Sequence, residues 1–446
     1  MNKSIFAYPH IYNGKHYVVL TLKRRIFEVE KDVYSALTNG AIDDLSHHND
    51  FKKMCDLGIL VEDGIDEVQC LEDAFLRSDD DAAWNSLHII PTTNCNMQCN
   101  YCFIMKDMET SFHHRNLSPE TLHKAIDLFI AGNTSKKKAM TFYGGEPFVN
   151  KQIVFDAVRY SKAKYPGEFE YKIVTNGTLV TYEIAAFLAE NGFDVNVSLD
   201  GDRPAHDANR TYRGNKSTYD DTILGIKRLI NAGNSVKILM TVGSHNIESL
   251  DKCTKTLLSL GPTSIALNLP KKLQHSDNEI EDGLSNEIIK RKYLECLEMC
   301  YKAHIPEAHF ADIVYGFLST DMHYRPCAGC GKQIAVSPFN KVGPCQAYIS
   351  TGKYFVDFDN ITSSDQLRDT DEFKLWKGIT MYGCEKCRNC YLLPVCPGDC
   401  PFDWENRMGS FSTPPDSYCF SRKMMFDELI ERYISGRPVL FRGKSK

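Results

Sequence analysis

The cysteines constrain this chain most. The sequence has 17 of them in 446 residues, and twelve fall into two groups, Cys95–Cys102 and Cys327–Cys419. Seventeen is odd, the chain is long, and its start lacks the apolar core of a secretion signal. Disulfides staple mainly small secreted domains, so a disulfide scaffold is a poor reading here. Clustered cysteines in such a chain point to metal instead. The net charge of −6, with no sustained basic stripe, argues against nucleic acid as a partner. No apolar run approaches the ~18–20 residues needed to cross a bilayer. The expectation is a cytoplasmic protein with no membrane partner.

From Trp84 onward, apolar stretches alternate with helical patterns. Strands are predicted over Leu87–Pro91, Ala139–Tyr143, Tyr171–Thr175, Asp194–Leu199, Val236–Val242 and Ser264–Leu269. Between the first two, Ser118 caps a helix with Pro119 at its first position, and Gly132 ends it. Six strands with intervening helices predict an α/β fold of parallel βαβ units, a complete or partial barrel. Functional residues of such a sheet gather at the carboxyl ends of its strands.

Residues 1–62 read as a smaller α+β unit. Asn13-Gly14 is a hairpin signal, Tyr17–Leu22 and Ile26–Val29 are β-rich, and short helices are expected from Asp32 to Leu37 and over Phe51–Leu57, before a closing strand at Ile59–Val61. That make-up suggests a winged-helix-like module. Residues 62–83, which include Glu67, Glu72 and Asp79-Asp80-Asp81, read as a solvated acidic linker. The segment 271–320 is largely helical and charged, and beyond Pro326 the chain turns loop-rich and cysteine-rich. Three modules are expected: 1–83, 84–310 and 311–446.

Cys95, Cys99 and Cys102 form C-x3-C-x2-C just after the first predicted barrel strand. Three thiolates on one short loop can hold three irons of a [4Fe–4S] cluster and leave the fourth open. A structural zinc would want four protein ligands, so zinc needs a distant fourth residue. Spacing alone leaves both readings open.

Four further segments follow later strands in order: Gly144-Gly145-Glu146-Pro147, Thr175-Asn176-Gly177-Thr178, Ser198-Leu199-Asp200-Gly201, and His206-Asp207 with Arg210. Together with the cysteine loop, whose Tyr101 precedes the last cysteine, this pattern resembles the radical S-adenosylmethionine (SAM) enzymes. The resemblance implies a partial (β/α)6 barrel, with SAM chelating the open iron. It implies that Gly144, Gly145 and Glu146 meet the amino group of the methionine moiety, and that Ser198 and Arg210 meet its carboxylate, since guanidinium is a bidentate partner for carboxylate. Tyr101 is expected near the adenine. Asn176 and Asp200 are candidates for the ribose side or for strand-end structure, and His206 is read as a structural hydrogen-bonding residue.

The second group is similar to a SPASM domain, which carries two auxiliary [4Fe–4S] clusters. By that resemblance the first auxiliary cluster takes Cys327, Cys330, Cys345 and Cys400, and the second takes Cys387, Cys390, Cys396 and Cys419. Cys384 is an extra cysteine, either an alternative ligand or a free thiol. Asn340 stands where the family has glycine, before Cys345; Asn is the usual non-glycine residue at positive φ. The bland alternative for the region is a pair of zinc sites. Cys296 and Cys300 read as core packing.

The resemblance implies a peptide-modifying enzyme with three [4Fe–4S] clusters, served by a reductant such as flavodoxin or ferredoxin. The favoured outcome is a thioether in a ribosomally made precursor peptide. Carbon–carbon or carbon–oxygen crosslinking, and sulfatase-type formylglycine formation, are the alternatives. Gln346 stands where sulfatase maturases carry an acidic base, and an amide cannot accept a proton at neutral pH. The N-terminal module resembles a leader-peptide recognition element, in which an extended leader would pair with a strand edge; Lys23, Arg24, Arg25 and Lys31 would attract an acidic leader. An iron–sulfur-sensing winged-helix regulator is the reading from a different class. No residue is assigned as catalytic acid or base.

Overall fold

A computed structural model describes residues 1–78, 83–102, 104, 114–268, 285–319 and 321–441. The Asp79-Asp80-Asp81 run, Leu269 at the end of the last predicted strand, and the first part of the 271–320 segment lie outside them. The chain divides into two compact units, neither continuous in sequence. One comprises Met1–Asp80, Phe310–Cys327 and Ile379–Leu440; the other comprises Asp81–His309, Ala328–Gly378 and the last few residues. This division cuts across the three consecutive modules read from the sequence.

The larger unit is built on a nine-stranded sheet. Its strands run in the order Ser264–Asn268, Ser235–Thr241, Asp194–Ser198, Glu170–Thr175, Ala139–Phe142, Ser86–Ile89, Gln333–Ser337, Lys341–Gly343 and Val356–Asp357. The first seven are parallel and the last two antiparallel. Six of the parallel strands are those predicted, and with their helices they make the α/β partial barrel. Alternate side chains such as Ile173, Val195, Val197, Ile238 and Met240 are almost wholly buried, each worth ~1.5–3 kcal/mol of apolar burial. Helix Pro119–Ile130 starts where its cap predicts, with the Thr121 amide donating to Ser118 Oγ at 3.2 Å. The hairpin around Pro338–Asn340 extends the barrel sheet, because every residue of Gln333–Ser337 is buried and pairs in parallel with Ser86–Ile89. Asn340 has φ +55°, as its place in the turn predicts.

The smaller unit opens with an antiparallel meander, Ala7–Tyr12, Lys15–Leu20 and Arg25–Val29, with the middle strand paired to both others. Asn13 and Gly14 both have positive φ, the requirement of a two-residue hairpin turn. Helices Lys31–Asn39 and Phe51–Leu57 end at left-handed Gly40 and Gly58. Val18, Leu20, Val33, Leu37, Met54 and Leu60 form the core of this N-terminal piece.

Two sequence expectations need correction here. The stretch read as a linker contains the helix Glu67–Ser78. Val68, Leu71 and Phe75 fall on one face and pack with Phe6, Tyr382 and Leu393. Its acidic residues also hold structure: Glu67 accepts from Ser4 Oγ (2.7 Å) and the Ile5 amide (2.8 Å), while Glu72 and Asp66 pair with Arg388 at 3.2 and 3.0 Å. Arg24, read as an attractant for an acidic leader, instead turns inward at φ +55°. Its guanidinium donates to the carbonyls of Thr21, Pro394 (2.7 Å) and Ser319 (3.4 Å). Lys23, Arg25 and Lys31 are exposed. Among the described residues no helix is long and apolar enough to cross a membrane.

Candidate active site

The cysteine loop leaves the carboxyl end of Ser86–Ile89 and is stitched to the segment after the neighbouring strand. The Gly145 amide donates to Thr92 O (3.1 Å) and the Glu146 amide to Asn94 O (2.8 Å). A Cβ on Gly145 would stand 2.1 Å from Asn94 O, and Gly144 has φ +135°. The glycine pair is therefore demanded by the backbone that leads into Cys95. Beyond Cys95, Met97–Cys99 pairs antiparallel with Arg210–Tyr212, which puts Arg210 opposite Cys99. Cys95, Cys99 and Cys102 are half-buried and none is in a disulfide. Burial, reinforced by the Glu146 carboxylate, pushes the Cys95 thiol up to about 12; burial does the same to Cys99, opposed by Arg210. An open cavity of about 550 Å³ borders Cys95, with Asn94, Asn96, Tyr212 and Arg213 in its wall.

Glu146 is almost wholly buried. Its carboxylate accepts from the Asn176 amide and Thr175 Oγ1, both at 2.7 Å, and from the Phe148 amide at 3.1 Å. Burial, opposed by these bonds, raises its pKa to about 7. Asn176 faces the cysteine loop: its Nδ2 donates to Asn96 Oδ1 at 2.9 Å and lies 3.9 Å from Cys95 Sγ. Ser198 ends the next strand.

Asp200 is the hub of the site. It is completely buried, and its carboxylate accepts from Arg210 Nε (3.0 Å), the Tyr101 hydroxyl and the Thr241 amide (2.9 Å). The Arg210 guanidinium lies 5.2 Å above the Tyr101 ring. Burial works against the Arg210 charge, but Asp200, Tyr101 and Cys99 hold its pKa above the ordinary value. His206 is fully buried, with Nε2 3.0 Å from Thr218 Oγ1, which donates to the Arg210 carbonyl. Burial first, then Arg210, brings its pKa down to about 4, so it is a neutral structural residue. Thus Tyr101, Asp200 and Arg210 meet in one cluster, joined to Cys99 by the short strand pair. Glu146 and Asn176 meet in another, beside Cys95. No motif in the sequence points to His245 and Asn246, which follow the fifth parallel strand. Asn246 Nδ2 donates to Asp200 O (3.2 Å) and Thr241 O (2.8 Å).

Residues 89–257, which contain this whole constellation, match the family model of the radical SAM superfamily. Residues 89–257 are a radical SAM domain. Over 439 residues it is 24% identical to the radical SAM cyclopropyl synthase TigE of Paramaledivibacter caminithermalis, covering 92% of this chain and 87% of that one. Two solved structures share the fold. Native anSMEcpe with bound AdoMet gives a TM-score of 0.68 at 19% identity, over 79% of this chain and 98% of that one. Streptococcus suis SuiB bound to precursor peptide SuiA gives 0.55 at 12% identity, over 94% of this chain and 100% of SuiB. Membership in the superfamily implies SAM and a [4Fe–4S] cluster. Three cysteines on one strand-end loop, with a buried Asp–Arg–Tyr cluster beside them, fit both.

The second cysteine group divides between the units. Cys327 and Cys400 belong to the smaller one, Cys330 and Cys345 to the larger. Cys387, Cys390, Cys396 and Cys419 all lie in the smaller unit and line one cavity of about 320 Å³, whose wall also holds Lys386, Arg422 and Lys423. Cys384 is buried and lies outside that lining, three residues before Cys387. Gln346 Oε1 accepts from Gln333 Nε2 at 2.9 Å. Cys253, Cys296 and Cys300 are wholly buried core residues.

Proposed function

We propose that this radical SAM enzyme modifies a ribosomally made precursor peptide and installs a crosslink, with a thioether as the favoured product. The observation that carries this reading is the end-to-end likeness to TigE, combined with an N-terminal meander ahead of the barrel. Arg25–Val29 ends that meander, so an extended leader would add to it as a further strand through backbone hydrogen bonds. Lys23, Arg25 and Lys31 would attract an acidic leader.

Cys95, Cys99 and Cys102 hold the SAM cluster in this reading. Gly144, Gly145 and Glu146 border the methionine amino group, Ser198 and Arg210 its carboxylate, and Tyr101, Asn176 and Asp200 the nucleoside side. Because Arg210 spends Nε on Asp200, its remaining nitrogens would serve a carboxylate. The bound cofactors supply a 5′-deoxyadenosyl radical that takes one hydrogen atom from the peptide. The thioether would form when a cysteine sulfur bonds to that carbon and loses its proton, and an auxiliary cluster, if held by the second cysteine group, would supply the acceptor for the one electron left over. The two auxiliary quartets are Cys327, Cys330, Cys345 and Cys400, and Cys387, Cys390, Cys396 and Cys419. A flavodoxin- or ferredoxin-type protein would supply the reducing electron.

The likeness to TigE, a cyclopropyl synthase, favours a second reading, closure of a carbon–carbon bond. Formylglycine formation is less favoured, since Gln346 cannot act as a base. The test is anaerobic co-expression with the short reading frames that flank its gene, followed by mass spectrometry. Loss of two hydrogens together with loss of one alkylatable thiol marks a thioether. Loss of two hydrogens with every thiol intact marks carbon–carbon closure. No change in any candidate peptide, despite SAM turnover, overturns the proposal.

A further inference from the structure

The strand pair beside the cysteine loop ends in an exposed hairpin. Arg210–Tyr212 pairs on one side with Met97–Cys99 and on the other with Lys216–Ser217. Gly214 at φ +80° and Asn215 at φ +59° make the turn, a backbone region that glycine and asparagine adopt readily. The backbone therefore holds the tip, which carries Arg213 and Lys216, in a fixed place relative to Cys99. Both residues are exposed, and among the described residues neither makes an ion pair. With Cys95 and Val149 they line the open cavity of about 550 Å³, and none of the residues in its wall is a carboxylate. Val149 is 41% exposed. Two carboxylates of the neighbouring stretch are engaged: Asp207 accepts from Ser217 Oγ (2.6 Å) and Asp221 from the Tyr212 hydroxyl (2.8 Å).

This patch is cationic on a chain whose net charge is −6, and it opens onto Cys95. Reductive cleavage of SAM consumes one electron, which has to come from outside the chain. A partner that delivers it must approach the cysteine loop, and complementary charge steers such encounters. Electron-transfer contacts are small, below about 1,200 Å² in total, so two cations around one exposed apolar residue are enough for a transient dock. Small low-potential carriers of the flavodoxin and ferredoxin type are acidic around their redox centres, and a cationic patch without a carboxylate suits them. The carboxylate of a methionine is served by the buried Arg210 in the reading above, whereas Arg213 and Lys216 stand in water.

We propose that the hairpin carrying Arg213 and Lys216 is the docking surface for an acidic one-electron carrier protein, which delivers its electron on the Cys95 side of the cysteine loop. This rests on Cys95, Cys99 and Cys102 holding the SAM cluster, as proposed above. The carrier is oxidised by one electron and the cluster reduced by one, with no covalent bond made or broken. The experiment uses the full chain, reconstituted anaerobically, as wild type, Arg213→Glu/Lys216→Glu and Arg213→Lys/Lys216→Arg. Binding of a bacterial flavodoxin and of a bacterial ferredoxin is measured by fluorescence anisotropy at low and high salt. Release of 5′-deoxyadenosine is followed with each reduced carrier and, separately, with photoreduced deazaflavin, a small uncharged reductant. Charge reversal should weaken binding of the preferred carrier about tenfold or more, and raise its KM in SAM cleavage to match. Added salt should weaken binding to wild type and change the reversed variant little. The deazaflavin-driven rate should not change, and the charge-conserving variant should behave as wild type. Unchanged carrier binding after charge reversal overturns the proposal, as does a wild type that binds neither carrier. An equal loss of rate with deazaflavin also overturns it, since the two cations would then serve the SAM site itself. Charge-dependent carrier binding without any SAM cleavage in wild type would sink the reading beneath the proposal and leave the docking surface standing.

Discussion

The strand-end loop and the cavity of the smaller unit both gather cysteines, but they are built in opposite ways. Around Cys95, Cys99 and Cys102 the scaffold is a parallel sheet, and the buried charges are two carboxylates, Glu146 and Asp200, set against one Arg210. Around Cys387, Cys390, Cys396 and Cys419 there is little regular structure, and Lys386, Arg422 and Lys423 share the wall with one acidic residue, Asp399. Cys419, Arg422 and Lys423 lie three and four residues apart on helix Asp416–Ser435, so one face presents a thiol and two cations together. Surrounding charge sets the potential of an iron–sulfur cluster. The first surrounding suits a cluster that must give an electron to SAM, and the second suits the proposed auxiliary cluster that receives one.

The largest expected effect follows from removing one side of this comparison. Cys95→Ala should reduce 5′-deoxyadenosine release, followed by chromatography, to background, while the second group keeps its iron. Cys419→Ala should do the reverse: about four irons lost by colorimetric assay, with SAM cleavage retained and the crosslinked peptide absent. Gly145→Ala should destabilise the chain by about 3 kcal/mol in anaerobic urea unfolding, because the new methyl meets the rigid Asn94 backbone. The smallest effect is the most discriminating. Arg422→Gln should keep all iron yet lower the potential of the second-group cluster in an EPR-monitored titration, by on the order of 60 mV, or ~1.4 kcal/mol for one electron. An unchanged potential would mean that the cations serve packing alone.

Much of the first site is legible in sequence, because its parts recur at strand ends and each strand is a short apolar run between turns. The cysteine spacing and the glycine pair stand out for the same reason: few other residues can replace a metal ligand or a glycine crowded by backbone. The helix Glu67–Ser78 is hidden because its three core residues are diluted among acidic ones, which themselves bind Ser4 and Arg388. The pairing of Gln333–Ser337 with Ser86–Ile89 joins segments far apart in the chain, and no local pattern encodes it. The hub role of Asp200 is likewise assembled from Tyr101, Arg210 and Thr241, three separate stretches. Arg24 misleads for a different reason: a cation beside other cations reads as surface until its carbonyl partners are seen.

Iron and sulfide counting after anaerobic reconstitution tests most directly whether two differently built cysteine groups serve one reaction. Wild type should hold about twelve irons per chain, and the Cys95→Ala/Cys99→Ala/Cys102→Ala variant about eight, for one SAM-binding and two auxiliary clusters. About four irons with two zincs in the wild type would contradict the account, since the second group could then neither bind nor accept anything in the radical chemistry.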